Sequence, residues 1–227
     1  VGGAHFAKNI KVETIKPNRL KIKQDFPEEV LSKNDLNGNL AVNWLHGAPG
    51  KNLRTEIKAK FTSTSTGFKG FDEYVFSDPI RKFNSEELVI FNQKVNEEGV
   101  AKINKKLNLQ SKAPGMLRAT FFTRAFENGG DFSMDVFSKN YAPYISFVGL
   151  KSPKPRAYGS FFTDENVTFD VATVDDKGNP IKRNGLEVEV YKINWRWWWS
   201  SSRDDLSSYV GSQYHKPFKS LKINTNS

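Results

Sequence analysis

The chain has 227 residues, a formal net charge of +9 and no cysteine. The lack of cysteine excludes disulfides, thiol nucleophiles and cysteine-based metal sites. This length predicts two domains. The positive charge favours a lysine-rich solvated surface over a nucleic-acid site, because no run of five or more basic residues occurs.

Alternation of apolar and polar residues, which is typical of half-buried strands, dominates the chain. The strand-like segments in chain order are residues 19–26, 52–63, 117–127, 131–139, 166–174 and 185–195. Such strands form antiparallel sheets with one face in water. Only residues 27–36 and 85–92 show a helical pattern, and it is weak in both. The predicted fold class is therefore all-β.

Turn residues separate these segments. They are Asn37-Gly38, Pro49-Gly50, Pro114-Gly115, residues 128–130 (Asn-Gly-Gly) and residues 176–180 (Asp-Lys-Gly-Asn-Pro). Glycine and asparagine tolerate positive φ and proline presets φ, so such residues mark the ends of strands. Short strands between turns of this kind predict antiparallel β-sandwiches.

A domain boundary is predicted where a proline-rich, charged segment, residues 149–159, follows an apolar strand. The first sandwich would cover residues 17–149. The second would cover residues 150–227 and is too short to be complete. Residues 1–16 are predicted to be a trailing strand or a linker from a preceding domain.

No catalytic, cofactor-binding or metal-binding residue is predicted. The three histidines, His5, His46 and His215, lie in separate turns or loops. Neighbouring acidic residues such as Glu97 and Glu98 are predicted to lie in turns, and on a strand such neighbours would point to opposite faces, so they do not naturally form an acid–base pair. The sequence motifs of metalloproteases, serine hydrolases and phosphate-binding loops do not occur. The chain is therefore expected not to be an enzyme and to need no cofactor.

Four of the five tryptophans lie within residues 195–199. On a strand, Trp195, Trp197 and Trp199 would share one face. Arg196 and Trp198 would share the other. This arrangement favours a hydrophobic cap on a core or on an interface between domains. The predicted core or interface aromatic cluster consists of Trp44, Trp195, Arg196, Trp197, Trp198 and Trp199.

Three alternative functions are a carbohydrate-binding or adhesin-type module, a glycosidase and a nucleic-acid-binding module. A carbohydrate-binding or adhesin-type sandwich would expose coplanar tryptophans as a sugar platform. A glycosidase would need two converging carboxylates, which the sequence does not bring together. Base stacking by the tryptophans is disfavoured, because Asp204 and Asp205 follow them and would repel phosphates.

Several segments together carry a family resemblance. They include the WLHGAP element within residues 43–57, the ENGGDFS turn and the tryptophan-rich strand after a DDKGNP turn. The full set is residues 13–22, 43–57, 67–83, 96–103, 113–133, 141–150, 171–181 and 191–199. In these segments the chain resembles the middle part of bacterial alpha-2-macroglobulin family proteins, particularly the large Bacteroidetes-type forms, before or at the bait region.

The resemblance implies tandem macroglobulin-like (immunoglobulin- or fibronectin-III-like) antiparallel β-sandwiches. Full-length proteins of this family inhibit endopeptidases: a bait segment is cut, and the inhibitor closes around the protease. The implied role is a structural scaffold, with neighbouring macroglobulin domains and target proteases as partners, and with neither nucleic acid nor a membrane-spanning segment.

The resemblance also implies a periplasmic or cell-envelope location, as an exported protein or lipoprotein. The family's thioester requires a cysteine, so this chain cannot contain one. The serine-rich residues 200–213 lie near the position where the family carries its bait sequence.

Overall fold

The computed structural model describes residues 17–32, 36–154, 161, 164–191 and 217–226. These residues form strands and turns, with no helix among them. The strands are β1 (Leu20–Asp25), β2 (Val30–Ser32), β3 (Leu36–Trp44), β4 (Arg54–Ser63), β5 (Glu86–Lys94), β6 (Val100–Lys105), β7 (Leu117–Phe126), β8 (Phe132–Ala142), β9 (Ser146–Lys151), β10 (Asp170–Asp175), β11 (Arg183–Val190) and β12 (Lys219–Thr225). The all-β prediction is confirmed.

The first eight strands form a sandwich of two sheets. One sheet has the order β1-β3-β6 and the other β2-β8-β7-β4-β5. The pairings are antiparallel except that of β2 with β8, which is parallel and short. Alternate side chains of each sheet point toward the other sheet and exclude water from the space between them.

The core of this sandwich follows the predicted alternation. On β4, the inward residues Thr55, Ile57, Ala59 and Phe61 are fully buried. The buried apolar residues are Leu20, Phe26, Leu31, Leu36, Leu40, Val42, Leu53, Ile57, Ala59, Phe61, Ile90, Val95, Ile103, Leu107, Ala113, Leu117, Ala119, Phe121, Ala125 and Tyr141. Side chains spaced two residues apart thus form one continuous core.

The turn predicted at Asn37-Gly38 is wrong, because both residues lie inside β3. A Cβ atom on Gly38 would come within 2.5 Å of the Phe26 ring. That ring stacks on Phe121 at 5.1 Å and on Phe137 at 5.8 Å between ring centroids. The glycine therefore provides space for an aromatic stack in the core.

The two weak helical patterns are also wrong. Residues 27–36 contain β2 and the start of β3, and residues 85–92 lie mostly in β5. Pairing with β8 and β4, respectively, overrides the local sequence preference. The turns predicted at residues 128–130 and 176–180 are confirmed by the hydrogen bonds Gly130 N to Glu127 O and Asp175 N to Asn179 O.

The remaining strands form two pairs, β9 with β10 and β11 with β12. The pairs meet where the Thr173 and Thr225 hydroxyls lie 2.6 Å apart. The strand predicted over residues 166–174 begins only at Asp170. β9 runs through the predicted boundary at residues 149 and 150, and the division into domains stays a prediction. The strand predicted for residues 1–16 lies outside the described residues.

Candidate functional site: an aromatic junction

The connection between β4 and β5, residues 64–85, packs aromatic side chains against the β9–β10 pair. Its buried residues join the ends of β7, β8, β9 and β10 in a second hydrophobic cluster. The buried members are Phe68, Phe76, Met116, Ala142, Phe147 and Val174, with Val30, Phe71, Tyr74 and Tyr144 partly buried against them. We call these ten residues the aromatic junction. It fastens the β9–β10 pair to the first sandwich.

Most ring pairs of the junction meet edge to face, and the others are tilted. The Phe68 and Phe76 centroids are 4.9 Å apart with an interplanar angle of 80°. Phe68 lies 5.4 Å from Phe147 on β9. Phe71 and Tyr74 meet at 5.4 Å and 76°. Such contacts add about 0.5–1.5 kcal/mol per pair to the burial of the rings. The rings therefore hold the two parts of the molecule in one specific arrangement.

Two glycines provide the space that these rings need. A Cβ atom on Gly149 of β9 would lie 2.5 Å from the Phe76 ring. One on Gly178, in the turn between β10 and β11, would lie 2.9 Å from Phe68. Gly178 also has φ of 89°, which disfavours any side chain there. Glycines on β9 and in the turn after β10 thus provide space for the Phe76 and Phe68 rings of the connection.

Main-chain hydrogen bonds and an ion pair reinforce the junction. Val75 N donates to Leu150 O at 2.9 Å, and Leu150 N donates to Val75 O at 3.0 Å. Beside them, Lys151 Nζ lies 2.6 Å from Glu73 Oε2. The hydrogen bond from Lys151, followed by its charge, lowers the pKa of Glu73. The same hydrogen bond raises the pKa of Lys151. Both side chains remain partly exposed, so the pair contributes little to stability.

The connection is also anchored to the first sandwich. Met116 N donates to the buried Thr66 Oγ1 at 2.7 Å. A Cβ atom on Gly115 would come within 2.2 Å of that oxygen, so glycine permits the approach. Asp78 N donates to Pro114 O at 2.7 Å. The aromatic connection is therefore held at two points, Thr66 and Asp78, against the segment that precedes β7.

The chemistry of this region is that of a structural contact. Its ion pair, Glu73 with Lys151, faces solvent and not an enclosed cavity. Across the described part of the chain, no three His, Cys, Asp or Glu side chains are grouped so that they could hold a metal ion. No helix in the same residues has the length and apolarity to cross a bilayer. The junction is therefore a packing contact between the first sandwich and the β9–β10 pair.

Trp44 is the one member of the predicted tryptophan cluster that the structure describes. It ends β3 and is partly buried against the first core. The Arg19 guanidinium lies 5.5 Å from its ring centroid. Arg19 also pairs with Glu127 at 2.9 Å, and the His46 ring lies 6.2 Å from Trp44. The structure does not place Trp44 in the aromatic junction.

The rest of that predicted cluster, Trp195, Arg196, Trp197, Trp198 and Trp199, lies outside the described residues. Its role as core, interface or binding platform stays a prediction. Conversely, sequence reasoning missed the junction. The available signal was the concentration of Phe68, Phe71, Tyr74 and Phe76 in a segment without strand alternation.

Two packed sheets, followed by two further antiparallel pairs of which the first is attached through the aromatic junction, define an all-β protein that contains a β-sandwich. The family model described as Bacterial Alpha-2-macroglobulin MG5 domain matches residues 18–133, just over half of the chain. The model described as Bacterial macroglobulin domain 6 matches residues 149–227. The chain belongs to the bacterial alpha-2-macroglobulin family.

Solved structures of bacterial alpha-2-macroglobulins share this fold. The trypsin-activated protein from Escherichia coli matches with a TM-score of 0.59 and 14% identity, over 92% of this chain and 14% of that one. The native Escherichia coli protein matches with 0.55 and 16%, over 94% and 14%. The Salmonella protein reacted with methylamine matches with 0.53 and 14%, over 94% and 14%. The chain thus spans about one-seventh of these relatives. No curated protein matches the sequence.

Proposed function

We propose that the chain is the scaffold segment of a bacterial alpha-2-macroglobulin-like protein that inhibits endopeptidases by trapping them. Two macroglobulin family models match consecutive parts of the chain, and this supports the role as a scaffold segment of the family. The observation that carries the proposal is the aromatic junction. Its buried rings and close contacts support a role in packing two β-units together.

A trap requires stiff parts between the point of cleavage and the surfaces that enclose the protease. A cut peptide releases only local constraints, so flexible connections would absorb the movement. At the junction, each ring contacts neighbouring rings, and Gly149 and Gly178 allow Phe76 and Phe68 to approach the backbone closely. The segment would therefore move as a body and carry attached domains with it.

The partners under this proposal are neighbouring macroglobulin domains and, through the whole inhibitor, target proteases. We also propose a periplasmic or cell-envelope location, where an inhibitor would meet proteases from outside the cell. Fractionation of cells that carry an epitope-tagged chromosomal copy tests the location. Recovery of the tag in the cytoplasmic fraction would contradict it.

The trapping proposal is tested with the full-length protein that contains this chain. A trapped protease should lose activity on a large protein substrate and keep it on a small chromogenic peptide. Trypsin and elastase serve as probes, each with both substrates. Inhibition of both substrates would indicate an active-site inhibitor instead, and inhibition of neither would remove the proposal.

The scaffold role is tested in the same assay with a junction variant, Phe76→Ala, and an exposed control, Phe218→Ala. Phe76 is buried among three rings, whereas Phe218 is 77% exposed. We expect Phe76→Ala to reduce protection of the large substrate while the protease still cuts the inhibitor. Phe218→Ala should behave as the parent. Full trapping by a folded Phe76→Ala protein would contradict the scaffold role.

A further inference from the structure

The outer face of the five-stranded sheet carries an apolar and cationic surface that the packing of the first sandwich does not use. Three neighbouring strands place nine outward side chains in register, three on each strand. They are Arg54, Glu56 and Lys58 on β4; Phe126, Arg124 and Phe122 on β7; and Phe132, Met134 and Val136 on β8. We call these residues the outer grid.

The apolar side chains of the outer grid are exposed at positions where a solvent-facing strand usually carries polar side chains. Phe132, Met134 and Val136 are 49%, 40% and 47% exposed. They occupy three successive outward positions of β8, where alternation would place polar residues. Contiguous apolar exposure of this kind marks interaction sites. Phenylalanine, methionine and arginine are also the residue types enriched at protein–protein interfaces.

Two arginines define the charge of the surface. The Arg54 guanidinium lies 4.4 Å from the Phe126 ring centroid, and that of Arg124 lies 5.4 Å from Phe132. Neither forms an ion pair with another described residue. A guanidinium stacked on a ring keeps its N–H donors at its edge, ready for a carboxylate. Glu56 is the one carboxylate of the outer grid.

The edge of β8 beside this surface is closed to an added strand. The Asn18 side chain donates to Met134 O at 2.9 Å and accepts from Met134 N at 3.1 Å. Farther along, Lys139 Nζ donates to Phe26 O at 2.7 Å and also to Glu28 O. The Asn18 contacts occupy main-chain groups of β8 that strand addition would need, and β2 pairs with β8 at residues 140–142. A partner would therefore bind the face of the sheet and not its edge.

We propose that the outer grid is the docking surface for another folded protein unit that presents apolar side chains flanked by Asp or Glu. This inference is independent of the trapping proposal. At strand spacings of about 4.8 Å and same-face spacings of about 6.8 Å, nine positions cover roughly 300 Å². A standard interface buries about 800 Å² per partner, so the grid would be the centre of a contact and weak alone.

The test uses the chain itself and two synthetic β-hairpin peptides. One hairpin presents tryptophan and valine flanked by glutamate, and its matched control carries lysine in place of glutamate. Amide chemical shifts of the labelled chain report where each binds. We expect shifts confined to β4, β7 and β8 with the glutamate peptide alone. Binding should weaken strongly near 1 M salt, where the Debye length is about 3 Å.

Single variants locate the contact. Arg124→Glu and Met134→Glu should each weaken binding by about tenfold or more, as expected for central interface residues. Val100→Glu is the control, because Val100 is also exposed, at 39%, but lies in the other sheet. Both grid residues are exposed, and unchanged thermal melting verifies folding of each variant.

Four results would overturn the inference. They are equal binding of both peptides, shifts that map to other strands, binding that survives Met134→Glu, and concentration-dependent dimerisation through the grid, which would make a second copy the occupant. A separate experiment measures whether the chain sediments with phosphatidylglycerol vesicles. Vesicle binding through the grid without peptide binding would replace the protein partner with a membrane.

Discussion

The first sandwich and the β11–β12 pair show the same alternation in sequence and very different burial. On β7, residues Leu117, Ala119 and Phe121 are fully buried, because the three-stranded sheet covers them. On β11, Leu186 and Val188 alternate with glutamates but are only partly buried, and Val190 is 45% exposed. Alternation therefore specifies a strand with two unlike faces. The apolar face is buried only where another part of the chain covers it.

The β9–β10 pair lies between these extremes. Phe147 and Val174 are buried, but they are covered by the connection between β4 and β5 and not by an opposing sheet of their own. Part of the hydrophobic stabilisation of this pair is thus provided by the first sandwich. Apolar side chains are thus covered by a second sheet in the first sandwich, covered by a connection in the β9–β10 pair, and largely uncovered in the β11–β12 pair. Substitutions in these three regions should differ in their effect on the free energy of unfolding.

The largest contrast is expected between two phenylalanines. Phe121 is fully buried and stacks on Phe26 and Phe137, whereas Phe218 is 77% exposed. Phe121→Ala should lower the free energy of unfolding by about 3–5 kcal/mol through lost burial and a cavity. Phe218→Ala should change it by less than about 0.5 kcal/mol. Urea denaturation followed by fluorescence measures both.

If Phe121→Ala is too unstable to purify, Phe121→Leu supplies a milder version of the same change. Its destabilisation should still exceed that of Phe218→Ala. Equal effects at the two positions would mean that the two regions are buried to the same extent, and the comparison would fail.

A smaller effect is expected at the junction. Gly149→Ala places a methyl group 2.5 Å from the rigid Phe76 ring, so it should cost about 1–3 kcal/mol. Gly67→Ala is the matched control, because a Cβ atom there meets nothing within 4 Å. Hydrogen exchange should show faster exchange of the β9 amides in Gly149→Ala, with β4 and β7 protected. Parent-like exchange of β9 would show that the junction does not fasten this pair.

Two threonines should respond with opposite signs. Within the described residues, the buried Thr55 hydroxyl has no hydrogen-bond partner, whereas that of Thr66 accepts from Met116 N. Thr55→Val should therefore raise the free energy of unfolding by about 1 kcal/mol. Thr66→Val should lower it by about 1–2 kcal/mol, because a buried amide loses its partner. Thermal melts of both variants are the measurement. A loss of stability in Thr55→Val would indicate that its hydroxyl is bonded in solution.

Local sequence predicts the parts of the fold whose burial follows a period of two. The inward set of β4 was readable because this strand faces a partner sheet along its length, and residues 117–127 were readable as a strand from their composition. Gly38 was wrongly predicted to lie in a turn. The Phe26 ring, which leaves no space for a side chain at position 38, follows β1 and is therefore not a local sequence signal. The turn at residues 176–180 was readable because Asp175 accepts hydrogen bonds from its own neighbours, Lys177 and Asn179.

The junction could not be predicted in this way. Phe68 and Phe76 lie in a connection without regular structure, and their partners Phe147 and Val174 come from strands much later in the chain. No local period encodes such a contact. Trp44 shows the opposite case. It was assigned to the tryptophan cluster because of its residue type, and the structure places it at the end of β3 beside Arg19 and not in the junction.

The smallest effect concerns the exposed pair beside the junction. The pKa of Glu73 is lower in the folded state than in the unfolded state. Its contribution to the stability of the fold is therefore present above the unfolded-state pKa and is lost as pH falls through the folded-state pKa. Lys151→Met should return the pKa of Glu73 toward its ordinary value, as measured by carboxyl carbon shifts during an acid titration. Lys154→Met, which removes a charge with a weaker effect on Glu73, should move that pKa less. Equal shifts in the two variants would mean that general charge, and not the 2.6 Å contact with Lys151, sets the titration of Glu73.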